Sequence, residues 1–458
     1  MFDNYDELYD NVYDLLSCRN YIELKKLIED LKPVDLAAVF NRLPEHYIPM
    51  IFRLLPKDLA ADTFIELDSD LQKHLIEAFS DRELKNIVDE LFIDDAVDLI
   101  EEMPANVVKR ILAQADIASR NQINELLQYP ADSAGAIMTT EYVQLKKTMT
   151  VEDAFRAIRK GGINKETVYT CYVTDQSRRL IGIVSVRNLL FNDSSALIGD
   201  IMETNIISVN TLTDQEKVAR KFAKYDFTAM PVVDQEGRLV GIITIDDAID
   251  VLQEETTEDI EKMAALLPSD KPYLKTGVLR IWANRIPWLL VLMISATFTG
   301  MIIENNAKVL NIAVIGIILT ACIPMLMDTG GNAGSQASAT IIRSIALGEI
   351  TFKDTLKVIW KELRVSVLLG ITLAVACFAK LMIVNRLYMI ENGFAVSGVV
   401  CLSLAITVIL AKFIGCIFPL IAVKVKLDPA VVASPFITTI VDALSLIIYC
   451  RIAVGLLG

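Results

Sequence analysis

The chain has 458 residues, 53% of them hydrophobic, and a formal net charge of −14. That charge is unevenly divided: residues up to Asp270 hold 28 Lys and Arg against 50 Asp and Glu, while the remainder holds 16 against 8, for net charges of −22 and +8. So acidic a front half repels nucleic acid and anionic lipid, which excludes a nucleic-acid-binding role and makes cations its natural ligands.

In chain order, the opening MFDNYDELYD is acidic and polar rather than basic then apolar. It does not read as a secretory signal, so the front half is expected in the cytosol. From about 15 to 130, helical periodicity is broken at Leu43-Pro44, Leu55-Pro56 and Met103-Pro104. Proline fits the first turn of a helix but not its interior, which predicts a stack of short helices of about 8–12 residues through an N-terminal domain at 1–133. The pattern then changes to two related blocks, 134–199 and 200–253. Ile137-Met138 and Ile201-Met202 open them, and RLIGIVSVRNLL is echoed by RLVGIITIDDAI. A period of about 60 residues suits a small α/β unit rather than a solenoid repeat. The blocks resemble a tandem pair of CBS domains, on apolar strand-like runs around Gly182 and Gly241 and the tail TIDD in the second copy. The CBS resemblance implies that Thr244 and Asp247 match the pair that often holds an adenine nucleotide's ribose, whereas the first copy has Ser185 and Asn188 at those positions.

A charged connecting helix follows at 254–278, and then a membrane region at 279–458. Five apolar spans are expected near 286–303, 308–327, 357–384, 395–423 and 430–457, each about the ~20 residues a bilayer requires. Lys271, Lys275, Arg280 and Arg285 precede the first; Arg343, Lys353, Lys357, Lys361 and Arg364 lie between the second and third; Lys424 and Lys426 lie between the fourth and fifth. The other connections offer little beyond Lys308 and Arg386, so positive-inside reasoning puts the N-terminus in the cytosol and the C-terminus outside.

Within this half, Asp442 stands alone in ITTIVDALSLIIYC. A carboxylate at mid-membrane costs ~2.5–3.5 kcal/mol on insertion scales and usually faces a cavity or ion path, the alternative here being a hydrogen bond between helices. Lys412 in the fourth span reads either as snorkelling toward an interface or as taking a role in conduction. The run DTGGNAGSQ from Asp328 to Gln336 reads as a break where backbone could line a wet passage, or as a turn whose small residues allow close packing. Two acidic sets share helix faces: Asp247, Asp250, Glu254 and Glu258 with Glu255 and Asp259 beside them, and Asp94, Asp95, Asp98, Glu101 and Glu102. Like charges at these spacings cost ~0.2–0.5 kcal/mol per pair unless a counterion intervenes, so divalent ions bridging the sets compete with plain solvated faces as explanations. The seven cysteines are scattered without metal or redox spacing, and no GxxxxGK[ST] loop is present, which argues against an ATP-hydrolysing pump. Asp328-Thr329-Gly330 matches the aspartic-protease triplet, but that chemistry needs a second such carboxylate, and the triplet occurs once.

YPADSAGAIMT, YDFTAMPVVD, GIITIDDAIDVL, TGGNAGSQ and LDPAVVASPFITTIVDA together resemble the MgtE family of magnesium channels and transporters, over nearly the whole length. The resemblance implies a multidomain fold: an all-α helical-repeat N-domain, α/β tandem CBS domains, a connecting (plug) helix and an α-helical five-span transmembrane domain. It implies a homodimer in the cell membrane with its pore between subunits, Mg2+ held in the pore at Asp442, and no enzymatic activity. Regulatory Mg2+ is implied at positions matching Asp94, Asp98, Asp214, Glu216, Asp226, Asp247, Asp250, Glu255, Glu258, Asp259 and Asp428. ATP at the CBS domains is left open. Magnesium keeps several waters and takes one or two carboxylates, so one Asp from each of two subunits fits it. Where the family often shows Asn-Pro, this chain has Ser434-Pro435. The rival readings are a CBS-regulated carrier of Co2+ or Mn2+, which would favour softer ligands than Asp442, and a membrane-anchored nucleotide sensor that transports nothing.

Overall fold

The computed structural model describes residues 5–162, 165–269, 273–274, 276–305, 313–387, 393–431 and 434–457. Lys271, Lys275 and Lys308 lie outside the described residues. The chain divides into two compact units, Met1–Leu252 and Gln253–Gly458.

Among the described residues, the first unit opens with ten α-helices, α1 (Tyr5–Ser17), α2 (Tyr21–Glu29), α3 (Pro33–Phe40), α4 (Ile48–Phe52), α5 (Lys57–Ile65), α6 (Ser69–Ala78), α7 (Asp81–Val88), α8 (Ile93–Glu102), α9 (Ala105–Gln114) and α10 (Ile117–Leu126). Proline sets several starts: Pro33 is in the first turn of α3, and Pro56 and Pro104 cap α5 and α9. The missing N–H falls where it would be unsatisfied anyway. Ser80 and Glu83 add a reciprocal capping box at α7.

Two three-stranded sheets follow, each with a parallel then an antiparallel pairing. Strands β1 (Tyr142–Lys146), β2 (Thr167–Thr174) and β3 (Leu180–Ser185) form one; β4 (Val209–Asn210), β5 (Ala229–Val233) and β6 (Leu239–Thr244) form the other. Helices α11 (Val151–Gly161), α12 (Val186–Phe191), α13 (Ile198–Ile201) and α14 (Gln215–Tyr225) cover them. Each block lends its opening segment to the other's sheet: Thr139 bridges Ile242 and Glu203 bridges Ile183. Met138 therefore packs over Gly241, where a Cβ would lie 2.7 Å from its Sδ, and Met202 packs likewise over Gly182. The repeated Met and the repeated Gly are two halves of one reciprocal contact. One apolar core runs from Leu8 of α1 to Val251, taking in Phe222, Met230 and Val232 of the second block, so the helical domain and that block are a single packed body.

Helix α15 (Ile245–Met263) carries the chain across the unit boundary. The second unit contains α16 (Val278–Asn305), α17 (Ala313–Ala346), α18 (Thr355–Leu387), α19 (Gly393–Lys424) and α20 (Ser434–Leu457). Among the described residues, four helical stretches are long and apolar enough to cross a membrane: Val278–Asn305, Phe352–Val384, Gly393–Lys424 and Pro435–Leu456. The fifth expected span lies in α17, whose second half is polar. Helix α19 is central, packed against α17, α18 and α20, and α16 rests on α20.

Two expectations are corrected here. The run from Asp328 to Gln336 is no break; it lies inside the continuous α17, with Pro324 also inside it. Its glycines serve approach rather than bending. A Cβ on Gly330 would lie 2.6 Å from Thr407 Cγ2, one on Gly331 3.1 Å from Thr438 Cγ2, and one on Gly334 3.2 Å from the Ala411 carbonyl, while Gly415 of α19 abuts Gly334 itself. Small residues bring α17, α19 and α20 together where no hydrophobic drive separates protein from lipid. Nor does Lys412 snorkel. It is 6% exposed, and its Nζ lies 3.8 Å from Glu362 Oε2 of α18, an ion pair between helices longer than a hydrogen bond.

Candidate metal-sensing and ion-path sites

The first site is an acidic recess in the soluble unit. Phe92 caps α8 without a side-chain bond, placing Asp94 and Asp95 in a first turn whose N–H groups favour carboxylates, and the Ile93 N–H donates to Glu141 Oε2 at 3.4 Å. Asp94 points inward, and its Oδ1 is buried without a hydrogen-bond partner. Burial, aggravated by the charge of Asp246, raises its pKa against the pull of local backbone N–H groups and the Thr139 hydroxyl. Burial and the charges of Asp94, Glu166, Asp98 and Asp247 push Asp95 up to about 8. Glu166 is pushed to about 8 by burial and then Asp94, Asp246, Asp247 and Glu141, and Glu141 to about 7 by burial and Asp94. Asp247 rises to about 7, burial outweighing the bond donated by Thr244. Asp98 opens to solvent; partial desolvation and the same neighbours raise it as well. A flanking pair joins Glu66 to Asp250, the former raised by burial and then by Asp250 and Asp62.

Of the residues singled out in the sequence, the fold thus gathers Asp94, Asp98 and Asp247 and sets Asp250 against Glu66. Others serve local roles. Asp214 caps α14 by accepting from Lys217 N at 3.2 Å, and Glu216 pairs with Arg220 one turn on. Asp226 ends α14 in the left-handed region with φ 53°. Glu255 and Asp259 are half-buried on α15. Sequence reasoning missed Glu141, Glu166 and Asp246 as members of the recess, and Glu66. Glu141 and Glu166 are isolated in sequence, so only the fold reveals them.

The recess fits a hard divalent cation by its all-oxygen donor set and by the orphaned Asp94 oxygen. Among the described residues, no three His, Cys, Asp or Glu side chains close around one point.

A cavity of about 310 Å3 opens between the two CBS blocks, lined by Thr170, Tyr172, Ile183, Tyr225, Asp226 and Phe227 among others. The first block contributes Thr170, Tyr172 and Ile183 to its wall, and the second block the rest, from Glu203 to Ile207 and from Tyr225 to Pro231. Neither Thr244 nor Asp247 lines it. The Thr244 hydroxyl donates to Asp247 Oδ2 at 2.6 Å, and Asp247 belongs to a recess that would repel a phosphate.

In the membrane region Asp442 is half-buried on α20, with Asp328 of α17 as its acidic neighbour. Asp328 Oδ1 accepts from Asn332 Nδ2 at 3.1 Å. Asp428, just before α20, is held by Lys262 of α15.

These features define a membrane protein whose first unit pairs two CBS blocks with an acid-lined recess. Residues 31–132 match the MgtE intracellular N domain, 134–194 and 198–254 the CBS domain, and 323–452 the MgtE divalent cation transporter family. A magnesium transporter MgtE of Thermus thermophilus is 35% identical over 434 residues, 94% of each chain, and one of Bacillus subtilis is 33% identical over 454 residues, 98% of this chain and 97% of that one. A crystal structure described as the cytosolic domain of the Mg2+ channel MgtE in complex with ATP covers 53% of this chain and 99% of its own, at 36% identity and a TM-score of 0.51. The chain belongs to the MgtE family of divalent cation transporters.

Proposed function

We propose that this protein admits Mg2+ across the cell membrane down its electrochemical gradient and closes when cytosolic Mg2+ occupies the acidic sites. Kinship to magnesium transporters over 94% or more of the chain is the observation that carries this reading. Asp442, a half-buried carboxylate within a helix apolar enough to span the membrane, supplies the pore ligand. A divalent ion gains ~4.6 kcal/mol per 100 mV of inside-negative potential, so no further energy source is needed. On the cytosolic side, carboxylates whose pKa values are raised first by burial and then by one another would be relieved by a divalent ion, favouring the compact arrangement by mass action. Regulatory ions are assigned to Asp94, Asp98 and Asp247, with Asp95, Glu141, Glu166 and Asp246 completing that wall. The protein acts as a homodimer, with a pore lined by one Asp442 from each subunit and the C-terminus outside.

We further assign adenine nucleotide to the cavity beside Tyr172, whose neighbours Tyr225 and Phe227 stack at 5.5 Å. The ATP-bound relative supports the assignment.

The test is Mg2+ influx into liposomes holding wild type or Asp442→Asn. Influx by wild type and none by the variant is expected; equal influx would remove Asp442 from the ion path, and silence of wild type in a magnesium gradient would refute magnesium transport.

A further inference from the structure

The resemblance to magnesium transporters assigns metal to Glu258 and Asp428, yet the structure already fills the space between them. Lys262 lies one turn beyond Glu258 on α15, and its Nζ is 2.7 Å from Glu258 Oε1 and 2.7 Å from Asp428 Oδ2. The ammonium is mostly enclosed, its side chain 21% exposed. Burial alone would lower its pKa, but the bonds to Asp428 and Glu258 outweigh that, so the pKa is raised and the charge retained. The other Asp428 oxygen is committed as well, accepting from Ala430 N at 2.8 Å.

The contact is seated by more than charge. Met263, the next residue, packs against Ile342 of α17 and Ala430 at the approach to α20. Beyond it, Leu267 N donates to the Asn284 carbonyl of α16 at 3.1 Å, and Ser269 N to Glu261 Oε2 at 3.0 Å. The end of the connecting helix is thus fastened to three membrane helices or their approaches by one ion pair, one apolar contact and one backbone bond.

We propose that Lys262 is a tethered cation occupying the place where a divalent ion would bridge Glu258 and Asp428, so that this end of α15 is latched to the membrane unit without metal. Two carboxylates alone attract a divalent ion, whereas with an ammonium between them a second cation meets repulsion and spent ligands. Both oxygens of Asp428 already accept strong bonds, so metal entry requires the lysine to withdraw. The inference deepens the reading of cytosolic ion control, and its measurement is independent of whether the pore conducts.

The test counts Mn2+ bound to the full-length protein in detergent, from the loss of the free-ion paramagnetic signal. Lys262→Met is expected to bind one additional Mn2+ per chain relative to wild type, adding Asp428→Asn should abolish the gain, and Lys262→Arg should count as wild type. Equal counts for wild type and Lys262→Met would overturn the proposal. Should Lys262→Met fail to elute as wild type does, Asp428→Asn in the otherwise native chain decides: an unchanged count supports the latch, and the loss of one Mn2+ shows that metal, not lysine, holds Asp428.

Discussion

The charge state of a few carboxylates determines how the soluble unit responds to pH and to divalent ions. Asp95 and Glu166, at about 8, hold protons in the folded state at pH values where the unfolded chain has lost them. For a raised carboxylate pKa the folded state binds more protons between the unfolded value near 4 and the folded value. Stability therefore falls as pH rises through that window, by up to about 1.4 kcal/mol per pH unit for each such group. The full chain without divalent ions should melt at a lower temperature at pH 8 than at pH 6, and millimolar Mg2+ should remove most of the difference. A melting temperature that rises with pH in chelator would contradict this assignment. At Asp94 the buried charge carries its own desolvation cost, so Asp94→Asn should raise metal-free stability by ~1 kcal/mol or more while weakening ion binding. The same residues show what sequence could not reveal. Asp94, Asp98 and Asp247 were visible by helical spacing, but Glu141 and Glu166 reach the recess only because the first sheet carries them there. Lys262 was hidden for another reason: an acidic run draws attention to its repeated charge rather than to the one cation within it.

At the level of elements, the membrane helices depend on glycines that look like breakers. Gly415 faces the backbone of Gly334, whereas a Cβ on Gly398 of the same helix would meet nothing within 4 Å. Gly415→Ala should therefore destabilise the detergent-solubilised protein by ~1–3 kcal/mol or more through overpacking, with Gly398→Ala within ~0.5 kcal/mol of wild type. Equal melting of the two variants would show that the α17–α19 crossing is looser than described. The Lys412–Glu362 pair is a second structural commitment. Removing either partner leaves a buried charge and should cost ~3–5 kcal/mol, while replacing both by apolar residues should cost much less. In a thermal-stability double-mutant cycle, strictly additive losses would exclude the pair. Element types were largely legible: prolines at 56 and 104 announced helix starts, and the echoed blocks announced two like sheets. The misread element was α17, because Gly and Pro signal breaks in water but serve close packing within a helical membrane bundle.

For the whole molecule, the single core running from α1 to Val251 has a practical consequence. Excising the helical domain would bare the apolar face of the second block, so point changes in the recess test regulation more cleanly than truncation. Sequence alone could place the acidic half before the membrane half and assign the family from motifs spread over both. It could not show that the cavity forms where strands of the first block meet the Glu203–Ile207 and Tyr225–Pro231 segments of the second, since only the fold brings those segments together. The central claim is that cytosolic Mg2+ closes a magnesium path by binding this recess. The most direct measurement is channel activity in excised patches while cytosolic Mg2+ is raised, for wild type and for Asp94→Asn with Glu166→Gln. Wild type should close over a defined concentration range, and the variant should need roughly tenfold more Mg2+, equivalent to about 1.4 kcal/mol of lost coupling. Identical inhibition curves would contradict the account.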